Sequence, residues 1–181
     1  MDWQPIWYHQ NVNFASLPVK TKELTETIQI NCNLSGDKIR IVLTNQFGQE
    51  TLIFEKIEVA LDPMFHMKQQ LTFQETKIFK IPVGRQIISD DCHIKVTSGC
   101  KLFFRLTTRR PQQYCDFLST YDSSLTNAAF IRRYDWYPKL SQTFTARHGW
   151  FCLREVDLWT MALPKVIEFT GDSLAEMGLI S

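Results

Sequence analysis

Near the end of the chain stands Gly171-Asp172-Ser173-Leu174. A serine hydroxyl becomes a useful nucleophile when a base removes its proton and fixed donors receive the oxyanion. A tight turn from a strand into a helix supplies part of this. It lifts the side chain clear of the sheet, and the first free N–H groups of the helix point toward the developing charge. Ser173-Leu174-Ala175-Glu176 also has the S-x-x-E form of a helix capping box. The two readings coexist, because a nucleophile can sit at a helix N-terminus.

A base is harder to find. The four histidines are His9, His66, His93 and His148. Asp90-Asp91-Cys92-His93 has D-x-x-H spacing, but it precedes an alternating run and reads as a turn into a strand. His148, beside Gly149-Trp150, reads as a loop residue, and His9 and His66 have no carboxylate at a telling spacing. Ser35-Gly36-Asp37-Lys38 matches S-x-x-K inside an expected turn. The cysteines Cys32, Cys92, Cys100, Cys115 and Cys152 are odd in number and form no C-x-x-C pair. Reduced thiols, and no metal site, are the expectation.

The elements that position these residues fall into two kinds. Ile28, Ile30, Cys32 and Leu34 alternate with polar residues, as do Ile39, Ile41 and Leu43. Such runs are strands with one face in a core. Ser35-Gly36-Asp37 between them predicts a β-hairpin. Asn45-Gln46-Phe47-Gly48 predicts a further turn, and Ile57, Val59 and Leu61 a third strand. Shorter strands are expected around Leu71–Phe73, Phe79–Val83, Ile94–Val96 and Leu102–Leu106, and one from Trp150 to Trp159. Arg109–Pro111 and Asp122–Ser124 read as loops, and Arg132 and Arg133 as a loop or edge strand with solvated cations. No helical period is visible before residue 160. Many short strands and frequent turns predict a mainly β, antiparallel β-sandwich with jelly-roll-like character over residues 1–163. Val166-Ile167-Glu168-Phe169 then suits a strand buried on both faces of a parallel sheet. Residues 164–181 thus predict the first strand and turn of a separate α/β domain.

Several classes of function are excluded or disfavoured. The net charge of +1 gives no electrostatic reason to expect nucleic acid binding. No apolar run approaches the ~20 residues that span a bilayer. The N-terminus has no signal-peptide pattern, so no membrane association and a cytoplasmic location are expected.

Val166-Ile167-Glu168-Phe169-Thr170-Gly171-Asp172-Ser173-Leu174 resembles the first block of the SGNH/GDSL hydrolases. Ile39–Gly48, ending in Thr44-Asn45-Gln46-Phe47-Gly48, and then Ile57-Glu58-Val59-Ala60, are similar to the N-terminal β-domain of a subgroup of that family. Trp150-Phe151-Cys152-Leu153 and Val156-Asp157-Leu158 resemble the end of that domain. The resemblance implies an ester hydrolase acting by serine acyl transfer, with Ser173 as nucleophile and its backbone N–H as an oxyanion donor. The substrate class it implies is an ester, including acylated carbohydrate, and the chemistry needs no metal or organic cofactor. Ala175 stands where the family often has Thr, and the next glycine is Gly178. The family's later glycine, asparagine and Asp-x-x-His blocks have no counterpart after Ser173, so the hydrolase domain is read as incomplete and the chain as inactive alone. The rival reading is a non-catalytic β-sandwich that binds carbohydrate or a protein through aromatics such as Trp3, Trp7, Trp136 and Tyr137. A third reading is a domain that holds the hydrolase and takes no ligand.

Overall fold

The computed structural model describes residues 1–119, 127–133, 142–144 and 149–162. Ser173, the block around it, Trp136, Tyr137 and His148 lie outside the described residues, as does the expected α/β segment 164–181. Among the described residues the secondary structure is entirely strand and turn, so no helix there is long and apolar enough to cross a membrane.

Two antiparallel sheets carry the fold. One runs β1 (Asp2–Tyr8), β17 (Leu153–Thr160), β4 (Gly36–Asn45) and β10 (Cys92–Val96), with β9 (Arg85–Ile88) on the far half of β4. The other runs β15 (Gln142–Phe144), β14 (Asn127–Arg133), β3 (Val19–Asn31), β11 (Lys101–Thr108), β6 (Lys56–Ala60) and β7 (Gln69–Gln70), with β12 (Gln112–Tyr114) on the first residues of β3. A small sheet of β16 (Gly149–Phe151), β13 (Asp116–Ser119) and β2 (Val12–Asn13), and a pair of β5 (Leu52–Phe54) and β8 (Phe79–Ile81), complete it.

The alternation read from the sequence decides what is inside. Ile39, Ile41 and Leu43 of one sheet and Ile30, Phe104 and Leu106 of the other are fully buried, and Ile28 is nearly so. All belong to one continuous core, as expected when each sheet has one apolar face. At ~25 cal/mol per Å2 of apolar area, each such side chain contributes on the order of 2 kcal/mol by leaving water.

The structure corrects several expectations. β3 and β4 do not form a hairpin. They lie in opposite sheets, and residues 32–35 arch from one to the other. One-sided alternation fits a hairpin or an arch equally; long-range pairing decides. β3 is taken by β11 and β14, and β4 by β17 and β10. Gly36 fits because β17 crosses so closely that a Cβ there would lie 2.4 Å from the Trp159 carbonyl oxygen. The expected strand from Trp150 to Trp159 is broken at Cys152, whose φ is 65°. That turn moves the chain from the small sheet to the centre of the first sheet. The strand expected at Leu71–Phe73 is reduced to a bridge between Phe73 and Thr76, next to β7. β14, carrying Arg132 and Arg133, is a strand and not a loop; β3 pairs it along its length, and β15 pairs its outer side at Ala129–Ile131.

Candidate functional site

The Thr44-Asn45-Gln46-Phe47-Gly48 turn that carries the upstream resemblance is built around a buried carboxylate. Asp116, at the start of β13, is 1% exposed. Its Oδ2 accepts from Thr44 Oγ1 at 2.7 Å, Gln46 N at 2.6 Å and Asn11 Nδ2 at 3.2 Å. Its Oδ1 accepts from Phe47 N at 2.7 Å. Asn45, also buried, donates its Nδ2 to the carbonyls of Glu50 and Ile81, each at 2.9 Å. Its amide oxygen occupies the space above Gly48, where a Cβ would sit only 1.8 Å away. Thr44, Asn45 and Gly48 therefore each have a structural role, while Gln46 and Phe47 serve through their backbone N–H groups. Thr44 and two backbone N–H groups neutralise Asp116, Asn45 pins the turn to β8, and Gly48 makes room for it. A carboxylate with this many donors is held in one geometry, and the turn with it.

A second buried carboxylate lies nearby. Glu26 occupies the core-facing row of β3 with Leu24, Ile28 and Ile30, and is fully buried. Phe151 N donates to Glu26 Oε1 and Oε2 at 3.1 and 3.2 Å, which ties β16 to β3. Cys152, next along the chain from Phe151, has its thiol pushed up by burial and by Asp116, Glu26 and Cys115. Because it is fully buried, it is inert as a nucleophile. Sequence reasoning missed both carboxylates. Glu26 was legible in principle, since it shares parity with Ile28 and Ile30; Asp116 has its partners some 70 residues away and left no local signal.

The outer face of the β1–β17–β4 sheet carries the exposed charge and aromatic chemistry. Arg40 donates from Nε to Asp157 Oδ2 at 2.8 Å, across the β4–β17 pair. Its guanidinium lies 4.5 Å from the centre of the Trp3 ring, which meets Trp159 edge-on at 5.3 Å. Glu155, two residues from Asp157 on the same face, has its carboxyl pushed up by burial and by the adjacent Asp157. Trp3 has a ring face covered by Arg40, and Trp7 packs on His9 and Trp150. These two tryptophans, stacking candidates by sequence, act here as packing groups.

The histidines and serines within the described residues are placed as follows. His93 lies in β10, where its carbonyl accepts from Gln69, while Asp90 accepts from Thr72 Oγ1 and from Gln74 N and Glu75 N to close a turn. The D-x-x-H spacing therefore makes no dyad. His66 Nδ1 stands 2.9 Å from Asp62 Oδ1 on an exposed turn. His9 packs against Trp7 and Trp150. The hydroxyls of Ser35, Ser89 and Ser98 hold backbone groups. Among the described residues no three His, Cys, Asp or Glu side chains cluster as metal ligands.

Beside the end of β17 a groove of about 480 Å3 opens between the 33–37 arch and the Lys95–Ser98 turn. Leu34, Val96, Trp159 and Met161 line it. It flanks the point from which the chain continues toward Val166–Leu174. A comparison with models of known protein families gives no match, and neither does a comparison with curated proteins.

Proposed function

We propose that this chain is the front portion of an SGNH/GDSL-type ester hydrolase, in which the β-domain is a rigid holder and Ser173 is the nucleophile. One observation carries the holder reading. The Thr44–Gly48 turn, which bears the upstream resemblance, spends its functional groups on folding the sandwich around Asp116. The side chains of Thr44 and Asn45 and the backbone N–H groups of Gln46 and Phe47 are committed to internal bonds, which supports a scaffold. The position of β17 agrees with this. It lies between β1 and β4, the interior of its sheet, so the segment leading to Ser173 starts from a fixed point.

In this reading the Ser173 hydroxyl attacks the ester carbonyl and its own N–H donates to the oxyanion. Each oxyanion donor contributes on the order of 3 kcal/mol to the barrier. The base and remaining donors come from hydrolase blocks beyond those in this chain. The substrate is a carboxylic ester, with acylated carbohydrate as the class to assay first. No metal or organic cofactor takes part. The test is hydrolysis of a short-chain activated ester and of an acetylated oligosaccharide by a protein extended through a downstream hydrolase domain. Ser173→Ala in that protein lowers kcat by about four orders of magnitude or more, because nucleophile and base act as a unit. Unchanged turnover in the variant refutes the assignment.

A further inference from the structure

Cys32 follows the last residue of β3, and Cys100 precedes the first residue of β11. These strands pair antiparallel with Asn31 opposite Lys101 and Ile30 opposite Leu102. The next position outward places Cys32 against Cys100. Three backbone bonds define the junction. Cys100 N donates to Thr97 O at 3.0 Å, Gly99 N to Cys32 O at 2.7 Å, and Cys32 N to Cys100 O at 2.9 Å. Gly99 has φ of 85°, a conformation that suits glycine. This is a tight turn closing into a bulge that sets two residues, Gly99 and Cys100, opposite one, Cys32.

Alternation from Ile30 and Leu102, both in the core, turns both cysteine side chains inward. Cys32 belongs to the core cluster and Cys100 packs against it. The register and the Cys32 N to Cys100 O bond bring the two side chains to neighbouring positions, and both thiols are free. Directly opposed residues of an antiparallel pair have Cα atoms about 4.5–5.5 Å apart. A disulfide requires about 4.4–6.8 Å. Cys32 is 2% exposed and Cys100 is half-buried, so the pair has an inner and an outer thiol.

We propose that Cys32 and Cys100 are a redox pair, which an oxidised low-molecular-weight disulfide such as glutathione disulfide converts to a cross-strand disulfide. The outer thiol reacts first. Cys100, as thiolate, attacks one sulfur of glutathione disulfide, forms the mixed disulfide and expels one glutathione thiolate, which takes up the proton released. Cys32 then loses its proton, attacks the Cys100 sulfur and expels the second glutathione. Two protein thiols are oxidised and one glutathione disulfide is reduced to two glutathiones. Burial and the neighbouring Cys100 raise the Cys32 thiol, so the second step accelerates with pH.

The remaining cysteines are poor competitors. Burial pushes the Cys92 thiol up to about 11, and the thiol donates a hydrogen bond to Gln69 Oε1 at 3.3 Å. Cys115 and Cys152 are fully buried. The new bond would tie the chain just before the 33–37 arch to the chain just after the Lys95–Ser98 turn, the two segments that line the groove beside β17.

The experiment incubates the purified chain with excess glutathione disulfide, traps free thiols with an alkylating agent under denaturing conditions, and maps the peptides. The expected result is an intact mass lower by two hydrogens, a peptide linking Cys32 to Cys100, and alkylation of Cys92, Cys115 and Cys152. Cys32→Ser carries a persistent glutathione adduct on Cys100, and Cys100→Ser carries neither bridge nor adduct. A bridge between any other pair overturns the proposal. So does an adduct on Cys100 of Cys32→Ser without a bridge in the parent chain, and so does the absence of both.

Discussion

Asp116 is the residue on which the most local structure depends. It satisfies two backbone N–H groups, a hydroxyl and an amide in a space closed to water. Asp116→Asn keeps the shape but replaces one acceptor oxygen with a donor, leaving buried donors facing a donor. The expected cost is about 2–4 kcal/mol of unfolding free energy, read from the urea midpoint at constant slope. A loss below about 0.5 kcal/mol would mean that the turn does not depend on the carboxylate. Glu155 has the opposite character. Burial and Asp157 raise its pKa, so the folded state binds its proton more tightly than the unfolded chain does. The stability linked to that proton is fully present below the ordinary glutamate value, and is lost as pH rises through the higher folded value. At neutral pH its charge is a burden, opposed by Arg154 and Arg40. Glu155→Gln is therefore expected to raise the thermal midpoint at about pH 7 and to change it little at about pH 4. A larger gain in acid than at neutrality contradicts the sign.

At the scale of elements, alternation identified β3, β4, β6, β10 and β11 and their inward residues. It did not identify which strand each would join. The arch between β3 and β4 and the break at Cys152 are set by partners far away in sequence, beyond the reach of local pattern. β1 was invisible because Pro5 and the surrounding aromatics do not alternate cleanly, and its pairing with β17 shifts register between Pro5 and Trp7. The Gly36 crossing gives a test of the arch. A Cβ at Gly36 meets the backbone of β17, which cannot move without disturbing the sheet, while a Cβ at Gly84 meets open space and only a φ of 71°. Gly36→Ala is expected to cost about 2–3 kcal/mol and Gly84→Ala about 1 kcal/mol, by chemical denaturation. Equal costs, or the reverse order, would show that β17 does not pass Gly36 as closely as described.

For the whole molecule, the mainly β antiparallel architecture was legible from composition and period alone, because a one-faced strand has few ways to bury itself. The site was legible only as a motif. Gly171-Asp172-Ser173-Leu174 has the form of a nucleophile turn, and the proposed role of Ser173 requires a base within hydrogen-bond reach, roughly 2.6–3.2 Å. Of the described histidines, His66 is engaged by Asp62, His9 packs among aromatics, and His93 lies on a sheet strand. The holder reading therefore predicts a division of labour, with the sandwich contributing stability and position and the following domain contributing the chemistry. The decisive comparison is ester hydrolysis by the 181-residue chain, by its Ser173→Ala variant, and by the protein extended through a downstream hydrolase domain. Background rates are expected for the first two, and turnover that depends on Ser173 for the third. Hydrolysis by the 181-residue chain that disappears in Ser173→Ala would contradict the division of labour, and would direct the search for the base to His9, His66, His93 and His148, or to a partner chain.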